Sequence, residues 1–217
     1  MWLIKPPGVY RAQEDTDLLI ASLGRERLRE GDEVLDLGTG TGAVALAAAG
    51  TGARVTAIDV SRRALATAWL NGAVNGRHIH VLQGDLLEPV RGRRFDLIAS
   101  NPPYVPAAAS APPSHGLARA WDAGPDGRAL VDRICRTGPA FLAPGGVLLL
   151  VHSSLCGVEE SCRALHLAGL RTEVVARRRL PFGPVMSARA DWFEEQGLVA
   201  PGVRHEELAV IRGVRPE

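Results

Sequence analysis

The sequence predicts an α/β fold: a doubly wound, mostly parallel seven-stranded sheet with helices on both faces and the last strand antiparallel. The first observation is a short apolar segment at residues 33–37 that runs through a glycine turn into a helix of small residues. The second is that apolar segments then alternate with segments of helical periodicity, which is typical of parallel β-α-β units. The third is the length of 217 residues, which is enough for an α/β domain with a sizeable core.

The individual elements follow from periodicity and turn signals. Residues 1–12 hold prolines and a glycine, typical of an extended arm, and residues 13–28 have one apolar side, typical of a helix. The predicted strands are 33–37, 54–60, 78–82, 95–100, 147–153, 171–180 and 207–212. The other predicted helices are 43–50, 62–74, 127–142, 157–168 and 187–196. The buried face of helix 62–74 is predicted to consist of Leu65, Ala66, Trp69 and Leu70.

Length and composition narrow the class of protein. We expect a single domain over 1–217, with an N-terminal arm and helix at 1–30 and an extended connection at 181–206. The net charge of +1 gives no global basic field of the kind that drives non-specific nucleic-acid binding. Three cysteines without metal-like spacing, no signal-peptide pattern and only short apolar runs predict a cytoplasmic protein with no membrane span.

The turn after the first strand looks like a cofactor loop. Gly38, Gly40 and Gly42 permit backbone conformations that a side chain would block, and they let a ligand lie against the main chain at a helix N-terminus. Gly38, Gly40 and Ala43 also match the dinucleotide-binding pattern. A tight strand-to-helix turn without a ligand is a further interpretation of the same residues.

Two acids at strand ends bear on which ligand this loop would hold. Asp36 would face the ligand crevice of the sheet, where a carboxylate repels a pyrophosphate and attracts a cation. S-adenosylmethionine carries an ammonium and a sulfonium, so we expect it as the cofactor and S-adenosylhomocysteine as the product. Asp59 ends the next strand about 20 residues after Gly38, a spacing typical of an acid that binds ribose hydroxyls in either NAD or S-adenosylmethionine.

The fourth strand runs into Asn101-Pro-Pro-Tyr104, the most specific feature of the chain. Each proline fixes φ and lacks an N–H, so the loop is stiff and the carbonyl of Pro102 is free to point at a ligand. The side-chain oxygen of Asn101 and this carbonyl would accept both hydrogens of a planar NH2 group while the Tyr104 ring stacks on its face. Such acceptors would orient the nitrogen and take up its developing charge without a catalytic histidine or lysine. A proline-rich turn with a packed tyrosine is the alternative.

Other polar features are less informative. Asp85 follows the third strand after Gly84 and is either a hydrogen-bond partner near an adenine amino group or a turn residue. His152 and His166 have no metal-like partner, so both are predicted to be structural and no metal site is expected. Residues 105–120 are a low-complexity loop and a plausible flap over the substrate. Residues 177–179 are an arginine run typical of a solvated strand edge, with a nucleic-acid or phosphate contact as the alternative.

The glycine turn, Asp59, Gly84-Asp85 and Asn101-Pro-Pro-Tyr104 together resemble class I S-adenosylmethionine-dependent methyltransferases of the amino-group type, which have a Rossmann-like fold. Residues 8–19 narrow the resemblance to the short branch of the HemK-related protein-glutamine N5-methyltransferases, which modify translation release factors. The resemblance runs from about Val9 to Gly213. It implies a protein substrate, a release factor methylated on the glutamine of a Gly-Gly-Gln loop, and in similar enzymes a small activating partner protein.

The same resemblance assigns roles to individual positions. Thr16 would close over the cofactor from the N-terminal helix. The cofactor's methionine part would lie at Asp36 and Gly38, its ribose at Asp59 with Val60 beside it, and its adenine at Asp85 and Leu86. The acceptor would be held by Asn101, Pro102 and Tyr104, with Asn101 also near the cofactor. The chain departs from the family at Arg11-Ala12, where Glu-Pro is usual, and in the longer connection at 181–206.

Rival functions share parts of this pattern. The same four-residue motif serves exocyclic amines of adenine or cytosine, but the nearly neutral charge and the lack of a target-recognition domain disfavour nucleic acid. A small-molecule N-methyltransferase and a non-catalytic cofactor-binding subunit are further possibilities. An NAD-dependent dehydrogenase is disfavoured because Asp36 would face the pyrophosphate.

Overall fold

The computed structural model describes residues 2–9, 13–113 and 116–217. Within these ranges the strands are β1 (Glu33–Leu37), β2 (Arg54–Asp59), β3 (Ile79–Gln83), β4 (Phe95–Ser100), β5 (Leu142–Ser153), β6 (Arg171–Pro181) and β7 (His205–Val214). The α-helices are α1 (Glu14–Leu23), α2 (Ala43–Ala49), α3 (Arg62–Val74), α4 (Ala129–Thr137), α5 (Val158–Leu167), α6 (Pro184–Ser187) and α7 (Ala190–Glu195). No helix in the described ranges is long and apolar enough to cross a membrane.

All seven strands join one sheet in the order β3-β2-β1-β4-β5-β7-β6. The pairs among β1, β2, β3, β4 and β5 are parallel, and β7 runs antiparallel to both β5 and β6. The predicted fold class, including the antiparallel last strand, is confirmed.

The centre of the sheet positions the site. Val34, Leu35 and Leu37 of β1 and Leu97 and Ile98 of β4 are all buried, as expected for parallel strands covered by helices on both faces. Since β1, β2 and β4 are parallel neighbours, their carboxyl ends meet at one edge of the sheet. The polar residues that end these strands or directly follow them therefore lie close together.

The buried face of α3 differs from the prediction. Ala66, Trp69 and Leu70 are exposed, and Trp69 is 58% exposed. The residues that face the protein are mostly small: Ala64, Leu65, Thr67, Ala68, Asn71 and Gly72. The helix packs closely against the glycine turn, because a Cβ on Gly42 would lie only 2.8 Å from the Cβ of Ala68. Of the four predicted residues, Leu65 is buried as predicted. The prediction of the other three was wrong because it weighed apolar bulk, whereas this contact requires small side chains.

Several boundaries also differ from the sequence predictions. α1 ends at Leu23 instead of continuing to residue 28, with Gly24 as its C-cap, and the chain then turns so that Glu26 forms an ion pair of 2.7 Å with Arg212 on β7. β5 begins at Leu142, five residues earlier than predicted, through a register shift opposite Phe95 and Leu97.

The connection between β6 and β7 is ordered by aromatic packing. The single helix predicted at 187–196 is instead the two short helices α6 and α7. The Phe193 ring is fully buried and packs edge-on against Phe182 at a centroid distance of 5.9 Å. The arginine run at 177–179 lies on β6, an edge strand, as predicted, and Arg177 pairs with Glu207 of β7.

Candidate active site

The glycine turn is held at the carboxyl ends of β1 and β2. The amides of Gly38 and Thr39 both donate to the carbonyl of Ile58, at 2.9 and 3.0 Å. Gly38 and Gly42 have φ values of 73° and 80°, which side chains rarely tolerate. A Cβ on Gly38 would point at the carbonyl oxygen of Asn101, 3.8 Å away. The turn therefore lies directly beside the loop that follows β4.

Asp36 is buried beneath this turn. Its Oδ2 accepts hydrogen bonds from the Thr39 hydroxyl at 2.6 Å and from the Ala45 amide at 3.0 Å, so the carboxylate fastens the turn to the start of α2. Burial, together with the nearby charge of Asp59, raises its pKa to about 6 against the lowering effect of these hydrogen bonds. A bound cation would favour the ionised form. The fastening role is one that the sequence reasoning missed.

Asp59 spans the other side of the turn. Its Oδ2 accepts from the Gly40 amide at 3.0 Å, and its Oδ1 accepts from the Ser61 amide at 2.8 Å. Burial raises its pKa, while these hydrogen bonds and the positive charge of Arg119 lower it. Val60 is partly exposed beside it. The structure thus brings two carboxylates, Asp36 and Asp59, to the same glycine turn.

The segment after β3 lies at the same edge of the sheet, where the carboxyl ends of the parallel strands meet. Asp85 forms an ion pair of 2.7 Å with Arg133 of α4. From the sequence, Asp85 was predicted to lie near the adenine, and this ion pair was not predicted. Leu86 has φ of 50°, the only positive φ of a non-glycine residue in the described ranges. Strained backbone of this kind is found preferentially at functional sites.

The side chains of the Asn101-Pro-Pro-Tyr104 loop are fixed by α1. The Asn101 amide nitrogen donates to the Thr16 hydroxyl at 3.1 Å, and that hydroxyl donates in turn to Asp15 Oδ1 at 3.3 Å. The Tyr104 hydroxyl donates to Asp15 Oδ2 at 3.1 Å. Because its nitrogen faces Thr16, the Asn101 side chain turns its oxygen the other way.

Asp15 is a site residue that the sequence reasoning missed, whereas Thr16 was named only through the resemblance. Both are buried on the first turn of α1. Their only local signal is a pair of polar residues in a helix that otherwise packs on the sheet. The departure from the family pattern at Arg11-Ala12 lies outside the described residues.

A cavity of about 650 Å³ lies beside Tyr104, which forms part of its lining. Its walls come from the N-terminal arm at 6–9, the start of α1, residues 180–186 and the start of β7. Part of the long connection at 181–206 therefore lines a space next to the Asn101-Pro-Pro-Tyr104 loop. Glu206 also lies in this wall.

Comparison with known proteins shows the family to which the chain belongs. The family model of the methyltransferase small domain matches residues 1–116. A Methanocaldococcus jannaschii protein assigned as a protein N5-glutamine methyltransferase is 35% identical over 85% of this chain and 92% of its own length. The release factor glutamine methyltransferase of Bordetella pertussis is 39% identical over 82% of this chain and 68% of its own length.

Among solved structures, the chain resembles one from the E. cuniculi Mtq2-Trm112 complex, which is described as responsible for methylation of the eRF1 translation termination factor. The TM-score is 0.66 at 24% identity, over 96% of this chain and 99% of that one. At this identity the likeness concerns the fold.

Proposed function

The chain belongs to the methyltransferase small domain family and, with its relatives, to the protein N5-glutamine methyltransferases; from this premise we propose that it methylates the side-chain amide of a glutamine in a translation release factor, with S-adenosylmethionine as methyl donor. The observation that carries the proposal is the hydrogen bond between Asn101 and Thr16, which sets the direction of the Asn101 oxygen.

The residues around the glycine turn fit this donor. The two close carboxylates of Asp36 and Asp59 would interact favourably with a ligand that carries an ammonium and a sulfonium. The glycine turn leaves main chain accessible at the start of α2. When bound, S-adenosylmethionine supplies a methyl group made electrophilic by the sulfonium. We assign Thr16, Gly38, Gly40, Gly42, Val60, Asp85 and Leu86 to the same binding site.

The residues on the acceptor side would position a weak nucleophile. An amide nitrogen reacts poorly, so alignment must supply most of the rate. The Asn101 oxygen and the Pro102 carbonyl would each accept one N–H of the glutamine amide and stabilise the charge that develops on it. Tyr104, held by Asp15, would wall the site on the side of the cavity.

The partner and the compartment belong to the proposal as well. A small activating partner protein is part of the proposal, and its addition should raise the methyltransferase activity; the solved structure of similar fold is itself a complex of two proteins. A translation factor as substrate is consistent with the cytoplasm, where the free cysteines Cys135, Cys156 and Cys162 would stay reduced.

Transfer of label from radioactive S-adenosylmethionine into a cell extract tests the proposed class of acceptor. The label should enter a protein, be released by protease and resist nuclease. Asn101→Ala should abolish transfer while cofactor binding is retained, because the side chain is assigned to the acceptor. Label that nuclease removes and protease leaves would instead indicate a nucleic-acid base.

A further inference from the structure

Glu206 carries a buried carboxylate that the contacts of the fold do not fully satisfy. It lies near the start of β7 and is only 9% exposed. Its Oε2 has no hydrogen-bond partner among the described residues, although the side chain interacts with Ser153. The residue lines the cavity beside Tyr104, and Asp15 lines the same cavity.

An unpaired buried oxygen of this kind does not stabilise the fold. A buried acceptor without a donor destabilises the folded protein, and the large majority of such atoms are paired. Burial raises the pKa of Glu206, the interaction with Ser153 lowers it, and the negative charge of Asp15 raises it again. Both effects that raise the pKa would be offset by a hydrogen-bond donor that enters the cavity from outside.

The walls indicate what kind of donor fits. Val9, Val105, Phe182, Met186 and Leu208 make much of the lining apolar. Such a cavity suits a peptide segment without bulky side chains, because its main-chain N–H groups need an acceptor once they leave water. Glycine residues present these N–H groups without a side chain that would collide with the walls.

We propose that Glu206 accepts a main-chain N–H from the peptide segment that flanks the target glutamine, and so helps to select the substrate. The assignment rests on the proposed function. Tyr104 and Glu206 both line the cavity, so a glutamine amide held at Asn101 would place its neighbouring residues in this space.

Kinetics of Glu206→Leu with a synthetic Gly-Gly-Gln peptide test this assignment. KM for the peptide should rise about 10- to 100-fold, as expected for loss of a hydrogen bond to a charged group, with little change in kcat or in the binding of S-adenosylhomocysteine. Glu206→Leu removes the interaction with Ser153 but also the unpaired buried Oε2, so the melting temperature should change little. Glu206→Gln preserves the shape of the side chain and should raise KM by a smaller factor.

Glu207→Leu is the matched control, because Glu207 is the next residue of β7 and pairs with Arg177 away from the cavity. It should leave KM unchanged. Equal KM values for wild type, Glu206→Leu and Glu206→Gln, or a lower melting temperature with unchanged KM, would overturn the assignment and leave Glu206 a structural residue.

Peptides with N-methylglycine at successive flanking positions identify the donor. One such peptide should bind wild type more weakly but bind Glu206→Leu as well as the parent peptide does. If replacing a flanking basic residue by alanine shows this coupling and N-methylation does not, the donor is a side chain and the main-chain assignment is wrong. Absence of any methyl transfer by wild type would defeat the proposed function itself, a result distinct from an active enzyme that is indifferent to Glu206.

Discussion

The side-chain amide of Asn101 donates a hydrogen bond of 3.1 Å to the hydroxyl of Thr16, which lies 85 positions earlier in the chain. Thr16 is on the first turn of α1, and Asn101 directly follows β4. The N-terminal helix therefore sets whether the oxygen or the nitrogen of the Asn101 amide faces the group that is to be methylated. Loss of this contact would leave the asparagine free to present its nitrogen instead of its oxygen.

We expect Thr16→Val to lower kcat about 10- to 100-fold, because valine keeps the shape of threonine but removes the hydroxyl that orients Asn101. Thr67→Val is the control: Thr67 is also buried on a helix, but its hydroxyl bonds only to the Arg63 carbonyl within α3. Steady-state kinetics should separate the two variants, and an equal loss in both would point to a general effect on stability.

Asp59→Ala should weaken S-adenosylmethionine binding by about 1.5 to 3 kcal/mol, since it removes the charged acceptor assigned to the ribose and the partner of the Gly40 amide. Asp59→Asn keeps one oxygen and should lose less. Calorimetric titration measures the difference. A folded Asp59→Ala protein with wild-type affinity would exclude Asp59 from the binding site.

Asp36 should make both stability and binding depend on pH. Its folded pKa of about 6 lies above the ordinary value of 3.8, so its contribution to the free energy of unfolding is fully present below pH 3.8 and is lost as the pH rises towards 6. Asp36→Asn should therefore stabilise the ligand-free protein at pH 7 by about 3 kcal/mol.

Cofactor binding should show the opposite dependence on pH, because a cationic ligand requires the ionised carboxylate. Affinity in the wild type should fall as the pH drops below about 6, and Asp36→Asn should bind weakly with a flatter profile. Titrations at several pH values check this. Parallel pH profiles for the two proteins would show that Asp36 does not interact with the ligand.

Gly42→Ala should destabilise the protein more than Gly76→Ala. Both glycines have positive φ, which costs about 1 to 2 kcal/mol for alanine. A Cβ on Gly42 would also meet Ala68 at 2.8 Å, whereas a Cβ on Gly76 would meet nothing within 4 Å. The clash adds about 1 to 3 kcal/mol. Denaturant unfolding measures both, and equal losses would argue against the tight contact between the turn and α3.

Local signals explain what the sequence could predict. The bounds of α3 were predicted correctly because Ser61 caps it through the Ala64 amide, a contact between near neighbours. The strands ending at Asp59 and Ser100 were recognisable from short apolar runs. The resemblance to HemK-related methyltransferases is confirmed by the relatives.

What was missed depends on contacts between distant parts of the chain. The role of Asp15 exists only because Tyr104 reaches it from 89 positions away. Glu206 was predicted to end the connection at 181–206, just before the strand at 207–212, whereas it lies on β7, which begins at His205. Its burial becomes visible only when β6, β7 and the arm enclose the cavity. The face of α3 was misjudged because its phase is set by the approach of Ala68 to Gly42.

The most direct test of the proposed function is mass spectrometry of a release factor that carries a Gly-Gly-Gln loop, incubated with this protein and S-adenosylmethionine. The peptide that spans the loop should gain one methyl group, located on the glutamine by fragmentation, and Asn101→Ala should give none. A glutamine that stays unmodified, with and without a small partner protein, while the wild type labels another acceptor in the same extract, would contradict the proposed substrate.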